Sequence, residues 1–150
     1  MSELKVERFV KAPAEIVWRV ITDIDGATQR ISGINRIESL DQKNEFGIGT
    51  RWRETRTMFG REATEVMEVT EIEEGRSYVT EAHNKAARYV STMWVEPADG
   101  GSTVGMSFFG EPQGTIAKVF AGIVGRFFEG GTRKAMEQDL IDVAAAAEDR

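Results

Sequence analysis

Ile116-Ala117-Lys118-Val119-Phe120-Ala121-Gly122-Ile123-Val124-Gly125-Arg126-Phe127-Phe128 is the stretch whose reading decides the fold. Its apolar residues, Ile116, Val119, Phe120, Ile123, Val124, Phe127 and Phe128, recur at the three- and four-residue spacing of one helix face. The stripe continues past Gly130 and Gly131 through Ala135, Met136, Leu140, Val143 and Ala147. A helix over 114–148 therefore carries an apolar face along nearly its whole length, and that face must be buried. As one straight rod it would run about 50 Å at about 1.5 Å per residue, with the glycine pair as the place for a kink or fray. Most of the chain before it reads as strand, so the partner has to be a sheet. A curved antiparallel sheet gripping one helix leaves a hollow, and a hollow lined by aromatic and methionine side chains suits a small molecule.

Working back to the N-terminus, Lys5 to Lys11 reads as a first strand. Pro13 then stands at a first helical position, with Ile16, Val17, Val20, Ile21 and Ile24 on one face. Asp25-Gly26 ends that helix, Ala27 to Gly33 forms a short second helix or turn, and Ile34 to Leu40 is a strand. Gly47 to Met58 and Arg61 to Ile72 flank Phe59-Gly60, a two-residue connection of hairpin type. With Met58 opposite Arg61, one face pairs Thr50 with Val69, Trp52 with Met67, Glu54 with Glu65 and Arg56 with Ala63. The other pairs Arg51 with Glu68 and Thr55 with Thr64. The first face is the buried one.

Further strands span Arg76 to His83, Arg88 to Glu96 and Ser102 to Gly110, with turn signals at Glu74-Gly75, Asn84-Lys85 and Asp99-Gly100-Gly101. In the last hairpin Trp94, Thr92 and Val90 go with Gly105, Ser107 and Phe109, while Met93 and Val95 go with Met106 and Val104. Both faces are apolar, and periodicity alone does not choose the inward one. The order is strand, helix, helix, six strands, long helix: an α+β chain with a seven-stranded antiparallel sheet.

At 150 residues with 41% hydrophobic content, residues 1–150 are expected to form one domain. The lack of cysteine excludes disulfides, thiolate metal sites and a cysteine nucleophile, and accords with a reducing cytoplasm. Glu3, Lys5, Glu7 and Arg8 interrupt any signal-peptide run. In the apolar part of the last helix the longest uncharged stretch, Val119 to Gly125, is too short to span a bilayer. The expectation is a cytoplasmic protein with no membrane insertion, a monomer or weak homodimer. A net charge of −6, with Arg51, Arg53, Arg56 and Arg61 each close to a glutamate, argues against nucleic acid.

Several motifs fall into a familiar order: Lys11-Ala12-Pro13-Ala14-Glu15-Ile16-Val17-Trp18 leading into Thr22-Asp23-Ile24-Asp25; Gly47-Ile48-Gly49-Thr50-Arg51 opening the central hairpin; Glu68-Val69-Thr70-Glu71-Ile72-Glu73; Gly100-Gly101-Ser102-Thr103-Val104; and Asp139-Leu140 in the final helix. Over nearly its whole length the chain resembles the START and Bet v 1-like superfamily, in particular its bacterial polyketide cyclase/dehydrase and lipid-transport branch. That resemblance implies a helix-grip fold whose cavity, between sheet and last helix, takes lipids, sterols, polyketides, quinones or other apolar ligands. Members include binding proteins, transporters and aromatase/cyclases, so the class of ligand is better fixed than any chemistry. Where relatives often carry Pro and Trp after Asp-Ile-Asp, this chain has Gly26-Ala27-Thr28-Gln29-Arg30, so the cavity mouth should differ.

His83 is the only histidine, which rules out a histidine-pair metal site, and neither a metal nor a cofactor is expected. Gly47-Ile48-Gly49 opens a strand rather than a helix and lacks a third glycine, so it reads as a bend or bulge. Trp52, Met67, Trp94, Phe109, Phe120, Val124 and Phe127 are candidate ligand contacts, with simple core packing as the bland alternative. Trp18 sits off the stripe of its helix and should pack on a neighbouring strand. The sharpest signal is polar: Glu54 and Glu65 face each other across the buried hairpin face with Arg56 two residues along, and unpaired buried charge costs several kcal/mol. One reading makes Arg56 a ligand anchor for an anionic or carbonyl oxygen, with Glu54 or Glu65 as acid or base in an aromatase/cyclase. The other makes the cluster a wet structural bridge at the open end of the hairpin. Three function classes follow: a small-molecule binder, a cyclase, and a protein-interaction module docking on the last hairpin or the glycine-rich helix face.

Overall fold

The central hairpin has the register its short connection dictates. Strand β3 (Arg51–Met58) pairs antiparallel with β4 (Arg61–Glu73), Met58 opposite Arg61, Trp52 opposite Met67, Glu54 opposite Glu65 and Arg56 opposite Ala63. Gly60 carries a φ of 78°, the left-handed geometry that a two-residue hairpin turn needs and that glycine adopts without steric cost. The structure, a computed structural model, describes residues 3–40, 45–58, 60–84, 87–112 and 115–150, without the side chains of Met58 and of residues 112–129. Phe59, Lys85 and Gly114 lie outside it, as do the side chains of Phe120, Val124 and Phe127.

The remaining elements are β1 (Leu4–Val10), α1 (Ala14–Thr22), α2 (Ala27–Arg30), β2 (Ile34–Ser39), β5 (Ser77–His83), β6 (Ala87–Ala98), β7 (Gly101–Pro112) and α3 (Thr115–Glu148). All seven strands form one antiparallel sheet in the order β1-β7-β6-β5-β4-β3-β2. The architecture is the helix-grip fold: the sheet curves round α3, with α1 and α2 covering one end. Register shifts between Ile34 and Arg36 and between Val69 and Glu71 mark bulges, the local device by which an antiparallel sheet bends.

Two helix boundaries differ from the sequence reading. Pro13 is the N-cap of α1, with extended backbone, and the helix begins one residue later. It ends at Thr22 rather than at Asp25-Gly26, because the Thr22 hydroxyl donates to the Trp18 carbonyl (2.8 Å) and Asp23 leaves helical geometry to accept from the Gly26 amide (3.2 Å). Competing side-chain bonds of this kind end helices. By contrast α3 runs unbroken through Gly130 and Gly131. Its later turns bury Met136, Leu140, Val143, Ala144 and Ala147, together with Val10, Val17, Val69, Val95 and Val104 from α1 and the sheet. Asp142 fixes the helix to the α2–β2 connection, accepting from the Ser32 amide and hydroxyl (2.8 Å each).

The last hairpin pairs as expected, Trp94 with Gly105, Thr92 with Ser107, Val90 with Phe109, Met93 with Met106 and Val95 with Val104. The structure settles the inward face, which carries Met93, Val95, Val104, Met106 and Phe108. Trp94 is on the outside, lying over Gly105, where a Cβ would overlap its indole. The Lys5 ammonium sits 5.3 Å from the ring centroid.

Candidate functional site

Between sheet, α1, α2 and the later turns of α3 lies a cavity of about 260 Å³. Alternation along each strand sends Trp52, Met67, Met93, Met106 and Phe108 into it. Val20, Ile21, Ile24 and Ile31 close one end, and Ala135, Met136 and Val143 form the helix wall. Tyr78 lines it as well; its hydroxyl is spent on the Ile21 carbonyl (2.8 Å), and its ring packs edge-on against Phe46 and Trp18. Trp18 thus packs towards the sheet as its position off the stripe suggests, and its indole N–H donates to Glu74 on the β4–β5 turn (3.3 Å).

A polar cluster centred on Arg56 interrupts this lining. Arg56 Nε donates to Glu54 Oε2 (2.6 Å), and its two terminal nitrogens donate to Asp139 Oδ1 (3.1 Å) and Oδ2 (2.8 Å). The Arg56–Asp139 pair has the two-pronged geometry that a planar guanidinium favours, and it ties β3 to α3 across the cavity. Glu54 uses its second oxygen to accept from the Trp52 indole N–H (3.0 Å). The side chains of Arg56, Glu54 and Asp139 keep 22%, 15% and 10% of their exposure, so the cluster is an interior one rather than a wet bridge at a hairpin end.

Its electrostatics are uneven. For Arg56, burial acts to lower the pKa, but the charges of Asp139 and Glu54 with their hydrogen bonds outweigh it, and the guanidinium is held above its ordinary value. For Asp139, burial pushes the carboxyl above 3.8; Arg56 pulls it back, and Glu54 and Asp142 push again in the direction of burial. One cation therefore serves more carboxylates than it can neutralise. Burial, then the Glu54 and Asp139 charges, likewise hold the Tyr78 phenol well above 10 and keep it protonated.

The structure brings together four of the residues singled out from sequence, Trp52, Glu54, Arg56 and Met67. Glu65 also lines the cavity, but it faces its own partner, accepting from Asn84 (2.9 Å) at the exposed edge. Trp94 and Phe109 are corrected: they stand on the opposite face of the sheet from Met93, Met106 and Phe108, outside the cavity lining. Phe120, Val124 and Phe127 fall among side chains outside the described residues. Asp139 was missed as Arg56's partner. Its position gives a signal that could have found it, since it is the one carboxylate on the apolar stripe between Met136 and Val143. Among the described residues no cluster of histidine and carboxylates suits a metal ion, and no helix is long and apolar enough to cross a membrane.

Residues 1–148 match the family described as "Polyketide cyclase / dehydrase and lipid transport". No curated protein matches the chain. Among solved structures the chain is similar to TTHA0849 from Thermus thermophilus, at 20% identity and a TM-score of 0.82, with 97% of each chain covered. It is similar to the Zhui aromatase/cyclase from Streptomyces sp. R1128 at 16% identity and a TM-score of 0.83, over 99% of this chain and 94% of that one. The di-domain ARO/CYC StfQ from the steffimycin biosynthetic pathway matches at 14% identity and a TM-score of 0.73, over 99% of this chain and 51% of that one. At these identities the likeness establishes the fold.

Proposed function

This chain belongs to the polyketide cyclase/dehydrase and lipid-transport family, and from that premise we propose that it binds one small, largely apolar molecule, of lipid, polyketide, quinone or sterol-like character, in the cavity beneath α3. The observation that carries this reading is the lining itself: apolar side chains from sheet and helices, with charged groups paired among themselves at Arg56, Glu54 and Asp139 and at Arg30 and Asp23. Removing apolar ligand surface from water supplies the affinity. The four methionines Met67, Met93, Met106 and Met136 are soft enough to fit an irregular outline. The ligand contacts are Trp52, Met67, Met93, Met106, Phe108 and Met136. The test is titration of the native protein with the neutral fluorophore prodan. Saturation near one equivalent supports the reading, and emission that rises only as the protein unfolds overturns it.

A second reading, an aromatase/cyclase, is favoured by one observation: a carboxyl held above its ordinary value stands beside a guanidinium inside the cavity. Asp139 would take the proton from carbon between two ketones, and Arg56 would steady the enolate oxygen. Glu65 has no part in it, since its carboxylate is turned to Asn84. Turnover of a poly-β-ketone mimic that vanishes in Asp139→Asn while prodan binding persists would establish this over simple carriage.

A further inference from the structure

An arginine in an apolar cavity invites the assumption of an acidic ligand. The charges on the walls point the other way. Of the described lining residues, Asp23, Glu54, Glu65 and Asp139 are acidic, against Arg30 and Arg56. Arg30 is engaged by Asp23 (2.6 Å). Arg56 has directed its Nε and both terminal nitrogens at Glu54 and Asp139, so a ligand carboxylate would have to displace a carboxylate already bound in good geometry. A second, independent feature lies on the sheet. Thr80 and Ser91 stand opposite each other on β5 and β6, both line the cavity, and neither hydroxyl bonds another described residue. Both hydroxyls are thus open to a ligand, and the Thr132 hydroxyl, on the helix wall of the same cavity, is buried without a partner, a cost that a ligand oxygen can recover.

We propose that the cavity selects an uncharged apolar molecule bearing a neutral oxygen group, a hydroxyl or ketone met by Thr80 and Ser91, and rejects ligands that carry a carboxylate. This deepens the small-molecule reading and rests on it. An alcohol keeps all of the apolar contact and can exchange hydrogen bonds with the Thr80 and Ser91 hydroxyls. A fatty acid of the same length meets like charge in a poorly hydrated space, where the repulsion is strong.

Displacement of prodan by decanol, decylamine and decanoate at neutral pH tests it with one chain length and three headgroups. Decanol should compete at a concentration at least about tenfold below decanoate, since like-charge juxtaposition at a desolvated site costs that much or more. Decylamine should also outrun decanoate. Glu54→Gln should narrow the gap by strengthening decanoate, and Ser91→Ala, outside the ion-paired cluster, should narrow it by weakening decanol should the first variant fail to fold. Decanoate binding as tightly as decanol, or a gap unmoved by either folded variant, would overturn the selectivity while leaving the cavity reading intact. Failure of prodan and all three compounds to bind would overturn both.

Discussion

Arg56→Met tests the buried cluster directly. The guanidinium donates three bonds, of 2.6, 2.8 and 3.1 Å, to two carboxylates whose side chains are 15% and 10% exposed. Methionine fills much of the same volume and leaves both carboxylates without their cation. Breaking a buried pair from one side costs about 3 to 5 kcal/mol, and the residual exposure here argues for the lower end, about 3 kcal/mol. In a domain of this length each kcal/mol moves the midpoint by about 2 to 4 °C, so thermal unfolding followed by circular dichroism at neutral pH should drop by roughly 6 to 12 °C. The loss should depend on pH with a definite sign. Stripped of its cation, the Asp139 carboxyl is pushed up further by burial, so the folded variant holds a proton that the unfolded chain has released. Its deficit is largest at neutral pH and shrinks as pH falls. Combining Arg56→Met with Glu54→Gln and Asp139→Asn should restore most of the loss. Arg53→Met, whose partner Glu38 is exposed, is the control, worth at most about 0.5 kcal/mol. A fall no greater than that of Arg53→Met, or a deficit indifferent to pH, would refute the account of the cluster.

Three other substitutions probe separate parts. Because burial holds the Asp139 carboxyl above 3.8, the folded protein binds that proton more tightly than the unfolded chain, and this group's contribution to stability falls as pH rises through the folded value. Asp139→Asn should remove that slope from a plot of melting temperature against pH. Gly105→Ala forces a Cβ into the Trp94 indole and should cost about 1 to 3 kcal/mol in urea denaturation, with a change in tryptophan emission and no change in prodan affinity. Tyr78→Phe leaves the Ile21 carbonyl without its buried donor and should cost about 1 to 2 kcal/mol by the same assay, keeping the ring contacts with Trp18 and Phe46.

The sheet was legible wherever neighbours in space are neighbours along the chain. The connection at positions 59 and 60 allows one register, and from it the inward set Trp52, Glu54, Arg56 and Met67 follows by alternation alone. The last hairpin was legible in pairing and not in orientation, because both faces are apolar. What turns Trp94 outward is packing over Gly105 and beneath Lys5, a residue of β1 that lies far away in sequence. The same limit hid Asp139, which is 83 positions from Arg56. Local patterns reveal that a buried arginine needs an anion, but which anion is a property of how α3 settles on the sheet.

The order of the strands also bears on how the protein is made. Every other hairpin closes on its successor, whereas β1, the first strand, pairs with β7, the last. About 90 residues separate Val10 from Gly101, which at ribosomal speeds of roughly 5 to 20 residues per second keeps β1 waiting for several seconds. Throughout that interval Leu4, Val6 and Val10 belong to a nascent segment with neither its ladder nor its helix to cover it. Closure of the grip is therefore a late event of high contact order, and the N-terminal strand is the part of the chain with most to gain from a chaperone.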